Sequence, residues 1–244
     1  MITDPAVPGA NEDAAGALGP VGVLLDGAGV PPRFRAGCTH DVAWYSHRLA
    51  ARLLGAALED GLSLTSALHQ AIGEVTALHA GSCDLAAGSP SATVVAVRMA
   101  GRQLQYLVLC DSSLLLEHDD GTVTRITDTR VEEVAARERT PEAVEAMRNA
   151  PGGFWLARHE ADAAHEALTG SVPTTGLRAV HLVTDGITRA ADLLDLHDEP
   201  SLAAELSDDP HRLVGRLRAA ESELPPEQRP RKVHDDATVL TFFL

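Results

Sequence analysis

The stretch HLVTDGITRA, residues 181–190, runs apolar through Leu182 and Val183 and then stops at Thr184-Asp185-Gly186. A continuous apolar run is what a strand buried on both faces looks like, so an acid at its end needs a physical reason. Two other segments repeat the pattern. Val21 to Leu25 runs into Asp26-Gly27, and Asp235-Asp236 leads into ATVLTFFL, residues 237–244. Three apolar strands therefore each carry a carboxylate at one end. A glycine after the aspartate lets a ligand or a backbone carbonyl approach closely. Carboxylates gathered at low exposure repel one another and rise in pKa, and a divalent cation offsets that cost. Ligands that are all oxygen select hard ions, Mg2+ or Mn2+. A pair of such ions roughly 3.5–4 Å apart can clamp a phosphoryl group.

The rest of the composition narrows the class. A chain of 244 residues with 45% apolar side chains can bury a substantial core, and 1–244 is expected to form one domain. Aromatics are only 3%, so that core must be built from Leu, Val and Ala, with Trp44 and Trp155 as isolated large fillers. Thirty-five acidic against 20 basic side chains give a net charge of -15, which phosphate backbones repel. No nucleic-acid partner is expected. Cys38, Cys83 and Cys110 form no CxxC pair and no disulfide framework, as in a reduced cytosolic compartment. The N-terminus has neither a basic nor an apolar leader region, and no apolar run approaches membrane-spanning length. A soluble cytoplasmic protein without membrane contact is the expectation.

Periodicity gives the layout. Residues 1–19 read as an extended arm, followed by a buried strand at 21–26 and a loop through GAGVPPRFRAG, 27–37. Val42, Tyr45, Leu49 and Leu53 fall at helical spacing within 39–57. Ser63 can cap a second helix that carries Leu64, Leu68, Ile72 and Val75 on one face. Four strand-like runs follow, SATVVAVRMA, QLQYLVLC, SLLLEHD and TVTRITD, which read as an antiparallel meander with Asp119 and Asp120 as hairpin residues. That order argues against alternating βαβ units. Thr140-Pro141-Glu142 is a helix start inside a flap-like excursion at 130–176. A strand returns through Asp185, two helices follow, the second capped by Asp209 with Pro210 after it, and the chain ends on a strand.

These pieces resemble the metal-dependent protein phosphatases, the type 2C serine/threonine family, in a bacterial-type form. NEDA (11–14), LLDGAG (24–29), SPSATVVAV (89–97), CDSSLLL (110–116), ITDTRV (126–131), VTDGIT (183–188) and HDDATVL (234–240) stand in the family's order across nearly the whole chain. The resemblance implies an α+β fold, an α-β-β-α sandwich of two mainly antiparallel sheets flanked by helices. It implies that Asp26 bridges two Mg2+ or Mn2+ ions, that Gly27 gives one of them its carbonyl, and that Asp185 and Asp235 bind the other. Glu12 would hold metal-bound water, Asp13 would support the cluster, and Asp111 would serve a weaker third ion. The implied reaction is hydrolysis of phosphoserine or phosphothreonine in a phosphoprotein by hydroxide held between the ions, without a phosphoenzyme.

The chain departs from the family pattern in several places. Where the family usually has a phosphate-gripping arginine, four residues before the acidic pair, stands Pro8. Arg33, Arg35, Arg231 or Lys232 are the candidates to replace it. Ala28 follows Gly27 where many members carry a histidine, and Cys110 replaces the glycine before Asp111. These departures keep a second class open, a pseudophosphatase that acts as a regulatory binding module. Asp128 is either a family acid or a surface one, and Arg148-Asn149 either the family's pair before its flap or a plain loop. In GCTHDVAWY, 37–45, Cys38 and His40 lack a second ligand pair at zinc spacing. Packing is the expected role of Cys38 and Trp44, and a structural one that of His40.

Overall fold

The structure, a computed structural model, describes residues 1–29, 31–230 and 232–244. The chain opens with β1 (Ile2–Asp4), β2 (Ala14–Leu18) and β3 (Val21–Leu25), then α1 (Val42–Ala56) and α2 (Leu64–His79). Next come β4 (Val94–Ala100), β5 (Gln103–Leu109), β6 (Ser113–His118) and β7 (Val123–Ile126). The short helices α3 (Arg130–Arg137) and α4 (Pro141–Ala146) lead to β8 (Leu168–Pro173) and β9 (Leu177–Val183). The chain closes with α5 (Asp185–Asp192), α6 (Glu199–Asp208), α7 (Pro210–Glu223) and β10 (Ala237–Phe243).

Two five-stranded antiparallel sheets form, in the orders β1-β10-β9-β6-β7 and β2-β3-β4-β5-β8. Three apolar layers hold them. Leu24, Val95, Val97 and Val108 of one sheet meet Leu114, Val180, Leu182 and Leu240 of the other. Val21, Val23 and Leu25 turn the opposite way, onto Tyr45, Leu49, Leu53, Leu68 and Ile72 of α1 and α2. Leu115, Val183 and Val239 pack on Ile187, Leu202, Leu213 and Leu217 of the C-terminal helices. Alternate residues of β3 thus serve two different cores, which is why its sequence is apolar throughout. The α-β-β-α sandwich expected from the sequence is the observed architecture.

The capping signals hold in detail. Ser63 accepts a hydrogen bond from the Ser66 amide, Thr140 from Ala143 and Asp209 from Arg212. Asp119 and Asp120 sit exposed in the β6–β7 hairpin, where Gly121 has φ 81°.

Three expectations change. The N-terminal arm is not merely extended, since β1 pairs with β10 and β2 with β3. The four central strands are not one meander. β4–β5 belong to one sheet and β6–β7 to the other, and the chain crosses at Cys110–Ser112. The excursion at 130–176 ends in β8, which completes a sheet beside β5. Alternation could not reveal the sheet change, because each strand has a buried face wherever it lies. No described helix is long and apolar enough to cross a membrane.

Candidate metal centre

Antiparallel register explains why the acids meet. β9 and β10 pair Val183 with Val239, and the Thr184 amide donates to the Thr238 carbonyl at 3.1 Å. The end of one strand therefore lies beside the start of the other, and Asp185 comes next to Asp235. β3 from the other sheet ends at the same edge. There Thr93 N donates to Asp26 O and Ala28 N to Ser91 O, both at 2.9 Å. This antiparallel bridge uses the groups flanking Gly27 and turns the Gly27 carbonyl away from Ala92. Asp111 arrives from the crossing between the sheets.

Asp26, Gly27, Asp111, Asp185 and Asp235 line one cleft of about 340 Å³, with Thr93 and Cys110 beside them. Val131, Val144, Phe154 and Leu156 from the 130–176 segment form an apolar wall, and among the described residues Arg148, Arg189 and Lys232 line the cleft as cations. Asp185 is the first residue of α5 rather than the last of a strand, which points the helix N-terminus into the cleft.

Asp13 lies behind this cluster, 3% exposed, and neither carboxylate oxygen has a satisfying hydrogen-bond partner among the described residues. The Thr184 and Thr238 hydroxyls are close enough to lower its pKa against the larger effect of burial. Thr184 Oγ1 accepts from the Thr238 amide at 3.0 Å, and Thr238 Oγ1 bonds Thr3 Oγ1 at 2.8 Å. Burial, added to the charges of Asp236 and Asp185, pushes Asp13 up to about 7. Burial and Asp185 likewise push Asp111 to about 7. Burial, Asp13, Asp185 and Asp111 hold Asp26 well above the ordinary carboxylate range, and its carboxyl shares a hydrogen bond with Asp185. An orphaned buried carboxylate beside three crowded ones fits a cation, since burial and mutual repulsion outweigh the pull of Arg189 and Lys232 on Asp185.

Asp235 differs. Its oxygens accept from Arg189 Nη2 at 2.7 Å and Lys232 Nζ at 3.0 Å. Glu12 stands at the rim with Oε2 3.8 Å from the same Lys232 ammonium. α1 fixes the backbone of this acidic pair: Ser46 Oγ donates to Glu12 O at 2.5 Å, and His47 Nε2 lies 3.0 Å from Asp13 O.

The sequence-derived cations separate. Arg33 is exposed and paired with Glu142 at 2.7 Å, away from the cleft. Arg35 is outside the cleft lining, near enough to Glu12 to lower its pKa against the larger effect of burial. Arg231 lies outside the described residues. Lys232 reaches the site. Asp128 is buried and chelated by Arg130 rather than a surface acid. Arg148 donates to Ser91 Oγ at 3.1 Å and lines the cleft, so it is more than a plain loop residue. Cys110 adopts φ 68°, the left-handed conformation that suits the glycine it replaces.

Sequence reading passed over Asp236 and Arg189. Asp236 accepts the amides of Ala6 and Glu12, each at 2.7 Å, and so anchors the N-terminal segment. Arg189 bonds Asp235 and the buried Glu221. Adjacency to the Asp-Gly and terminal Asp motifs was their one available signal.

Gly186 shows how tightly the edge is drawn. A Cβ there would lie 1.9 Å from the Asp236 carbonyl oxygen. Gly186→Ala is expected to cost about 1–3 kcal/mol, with a lower Tm and weaker Mn2+ binding. Gly215→Ala in α7, where a Cβ meets nothing within 4 Å, is expected to leave both unharmed.

Fold and acid cluster together define a two-sheet sandwich with a carboxylate cleft at one edge. The chain belongs to the protein phosphatase 2C family, whose model matches residues 10–221. Among solved structures it is similar to the Mycobacterium tuberculosis serine/threonine phosphatase PstP/Ppp, at 20% identity and TM-score 0.64, over 98% of this chain and 95% of that one. It is similar to the serine/threonine phosphatase Stp1 from Staphylococcus aureus, at 15% identity and TM-score 0.64, over 100% and 93%. A PstP catalytic domain in complex with two manganese ions aligns at 20% identity and TM-score 0.60, over 98% and 94%. No curated protein matches the chain significantly.

Proposed function

We propose that this chain is a metal-dependent protein phosphatase that hydrolyses phosphoserine and phosphothreonine, with two Mg2+ or Mn2+ ions held at the carboxylate cleft. The observation that carries this reading is the convergence of Asp13, Asp26, Asp111 and Asp185, with Asp235 beside them, in a chain of this family. Asp26, the Gly27 carbonyl, Asp185 and Asp235 would hold the two ions, Glu12 and Asp13 would support them, and Asp111 would serve a weaker third. Bound there, the ions supply Lewis-acid activation of water and neutralise phosphoryl charge. The manganese pair in the PstP structure supports that assignment.

The protein's own groups do the rest. Lys232 is partly exposed at the cleft mouth and is, among the described residues, the cation best placed to meet a substrate phosphate where the N-terminal arm offers Pro8. Arg148 adds a second positive charge, and the apolar wall of Val131, Val144, Phe154 and Leu156 shelters the leaving side of the ester. Ala28 provides no proton for a leaving alkoxide, so solvent must, and aryl phosphates with good leaving groups should turn over fastest. The three free thiols support a cytoplasmic setting.

The test is hydrolysis of p-nitrophenyl phosphate and of a phosphothreonine peptide with Mn2+, with Mg2+ and with chelator. Metal-dependent release of phosphate from both is expected. The contacts of Arg189 and Lys232 with Asp235 favour a second reading, a binding module on this fold, because both must yield before Asp235 meets an ion. No turnover together with a metal-induced rise in Tm would select it. For Lys232→Met we expect KM to rise about 10-fold or more, the scale of a lost charged hydrogen bond. In the same variant Mn2+ should bind more tightly, because Asp235 loses a competitor. Steady-state kinetics and a Mn2+ titration check both; an unchanged KM removes Lys232 from phosphate binding.

A further inference from the structure

Away from the carboxylates, Cys38, His40, His79 and Cys83 bring four ligand atoms within 4.8 Å of one another. Cys38 Sγ lies 3.2 Å from His79 Nδ1, 3.6 Å from His40 Nδ1 and 3.1 Å from Cys83 Sγ; Cys83 Sγ lies 3.6 Å from His40 Nδ1. A tetrahedral zinc with Zn–S near 2.3 Å and Zn–N near 2.0–2.1 Å sets ligand spacings of about 3.8 Å for S···S and about 3.5 Å for S···N. Both sulfur distances to His40 match, Cys38 to His79 would open by roughly 0.3 Å and the sulfur pair by roughly 0.7 Å. At 3.1 Å the sulfurs are not bonded to each other, and both thiols are free.

We propose that these four side chains form a structural Zn2+ site, closed by two thiolates and two imidazoles. Soft sulfur with imidazole selects zinc, whereas the all-oxygen cleft selects Mg2+ or Mn2+, so the chain holds two chemically separate metal sites. His79 is 1% exposed, and its Nε2 has no hydrogen-bond partner among the described residues. Metal on Nδ1 fixes the ring proton on that second nitrogen. Binding forms two Zn–S and two Zn–N bonds and releases the thiol protons to solvent, with no redox change.

The site has a mechanical task. Cys38 and His40 follow the segment that leaves Asp26-Gly27, while His79 ends α2 and Cys83 lies in the next turn. The two segments already clasp. The Asp84 amide donates to Gly37 O at 2.8 Å, and a Cβ on Gly37 would lie 1.9 Å from Asp84 O. Zinc would pin this clasp of the Gly37–Cys38 segment against the end of α2. Trp44 packs against His40, ring centroids 4.0 Å apart and planes tilted by 38°.

The experiment uses the full chain, purified under reductant without chelator, with zinc content read by mass spectrometry and Co2+ substitution by absorbance. Wild type and Asp185→Asn should each keep one equivalent of zinc and show thiolate-to-cobalt charge transfer with intense tetrahedral bands. Cys83→Ser, whose side chain is only partly buried, should lose the charge transfer in part. Its zinc affinity should fall by more than the roughly 10–100-fold cost of losing an outer-shell group. His79→Gln gives a second, independent loss, with circular dichroism verifying the fold. Fully reduced, folded wild-type protein that takes up no zinc overturns the site. So does Cys83→Ser that binds as tightly as wild type, or zinc that disappears in Asp185→Asn.

Discussion

Asp185→Asn is expected to lower Mn2+-dependent hydrolysis of p-nitrophenyl phosphate by about 10^3-fold, the upper scale for losing one preorganised electrostatic contact. The substitution keeps shape and removes charge. Asp185 opens α5 behind the Thr184 N-cap, so its backbone position is fixed by the helix and by the β9–β10 register, not by its carboxylate. The loss would therefore belong to ion binding rather than to misfolding. A second readout separates the two. Asp185 adds repulsion to Asp13, Asp26 and Asp111, so its neutral replacement should leave the chelated protein at least as stable as wild type. The rise in Tm on adding Mn2+ should shrink at the same time. Activity within 10-fold of wild type, or a Tm in chelator well below wild type, would remove Asp185 from the site as described.

Much of that site was legible because it sits where strand periodicity breaks. Asp26, Asp185 and Asp235 announce themselves as acids at the ends of apolar runs; the β9–β10 register brings the last two together, and β3 of the other sheet ends at the same cleft. Other parts had no local signal. Arg33 and Arg35 were plausible phosphate ligands by chain proximity, but a 3-10 turn at Pro32–Arg35 carries Arg33 outward to Glu142. Arg148 reaches the cleft only because the 130–176 segment folds over it. The Cys38-His40 pair finds its partners 41 and 45 residues downstream, at His79 and Cys83, because α1 and α2 run as a pair and return the chain. A Cys-x-His and a His-x3-Cys match no common zinc spacing, so distance along the chain concealed a cluster that three-dimensional contact reveals. The split of the four central strands between two sheets was hidden for a related reason. Crossing at Cys110–Ser112 changes partners without changing the alternation of either hairpin.

The metal-free protein is expected to lose stability as pH rises from about 4 to about 7, and Mn2+ is expected to reverse that trend. Asp13 and Asp111 titrate near 7 in the folded chain, first because of burial and then because of neighbouring acids, against 3.8 in the unfolded one. Between those values the native state holds protons that the unfolded state has released, so the free energy of unfolding falls with pH. One unit of such a difference is about 1.4 kcal/mol, which makes the loss several kcal/mol. Other groups pull the opposite way in other windows. His79, His159 and His181 are held below their usual values, first by burial, and add stability as pH climbs towards 6.5. Glu160, Asp192 and Glu205, lowered by arginine partners against the larger raising effect of burial, act only below about 4.5. The discriminating measurement is therefore a difference, the Tm of wild type minus that of Asp111→Asn across pH 6 to 8 without metal. It should fall as pH rises, because only wild type must ionise Asp111 in a crowded cleft. With Mn2+ the carboxylates ionise into a favourable field and protons no longer compete, so the metal-induced gain in Tm should grow over the same range. Equal gains at pH 6 and pH 8 would mean that the acids of this cleft are not the groups that meet the ion.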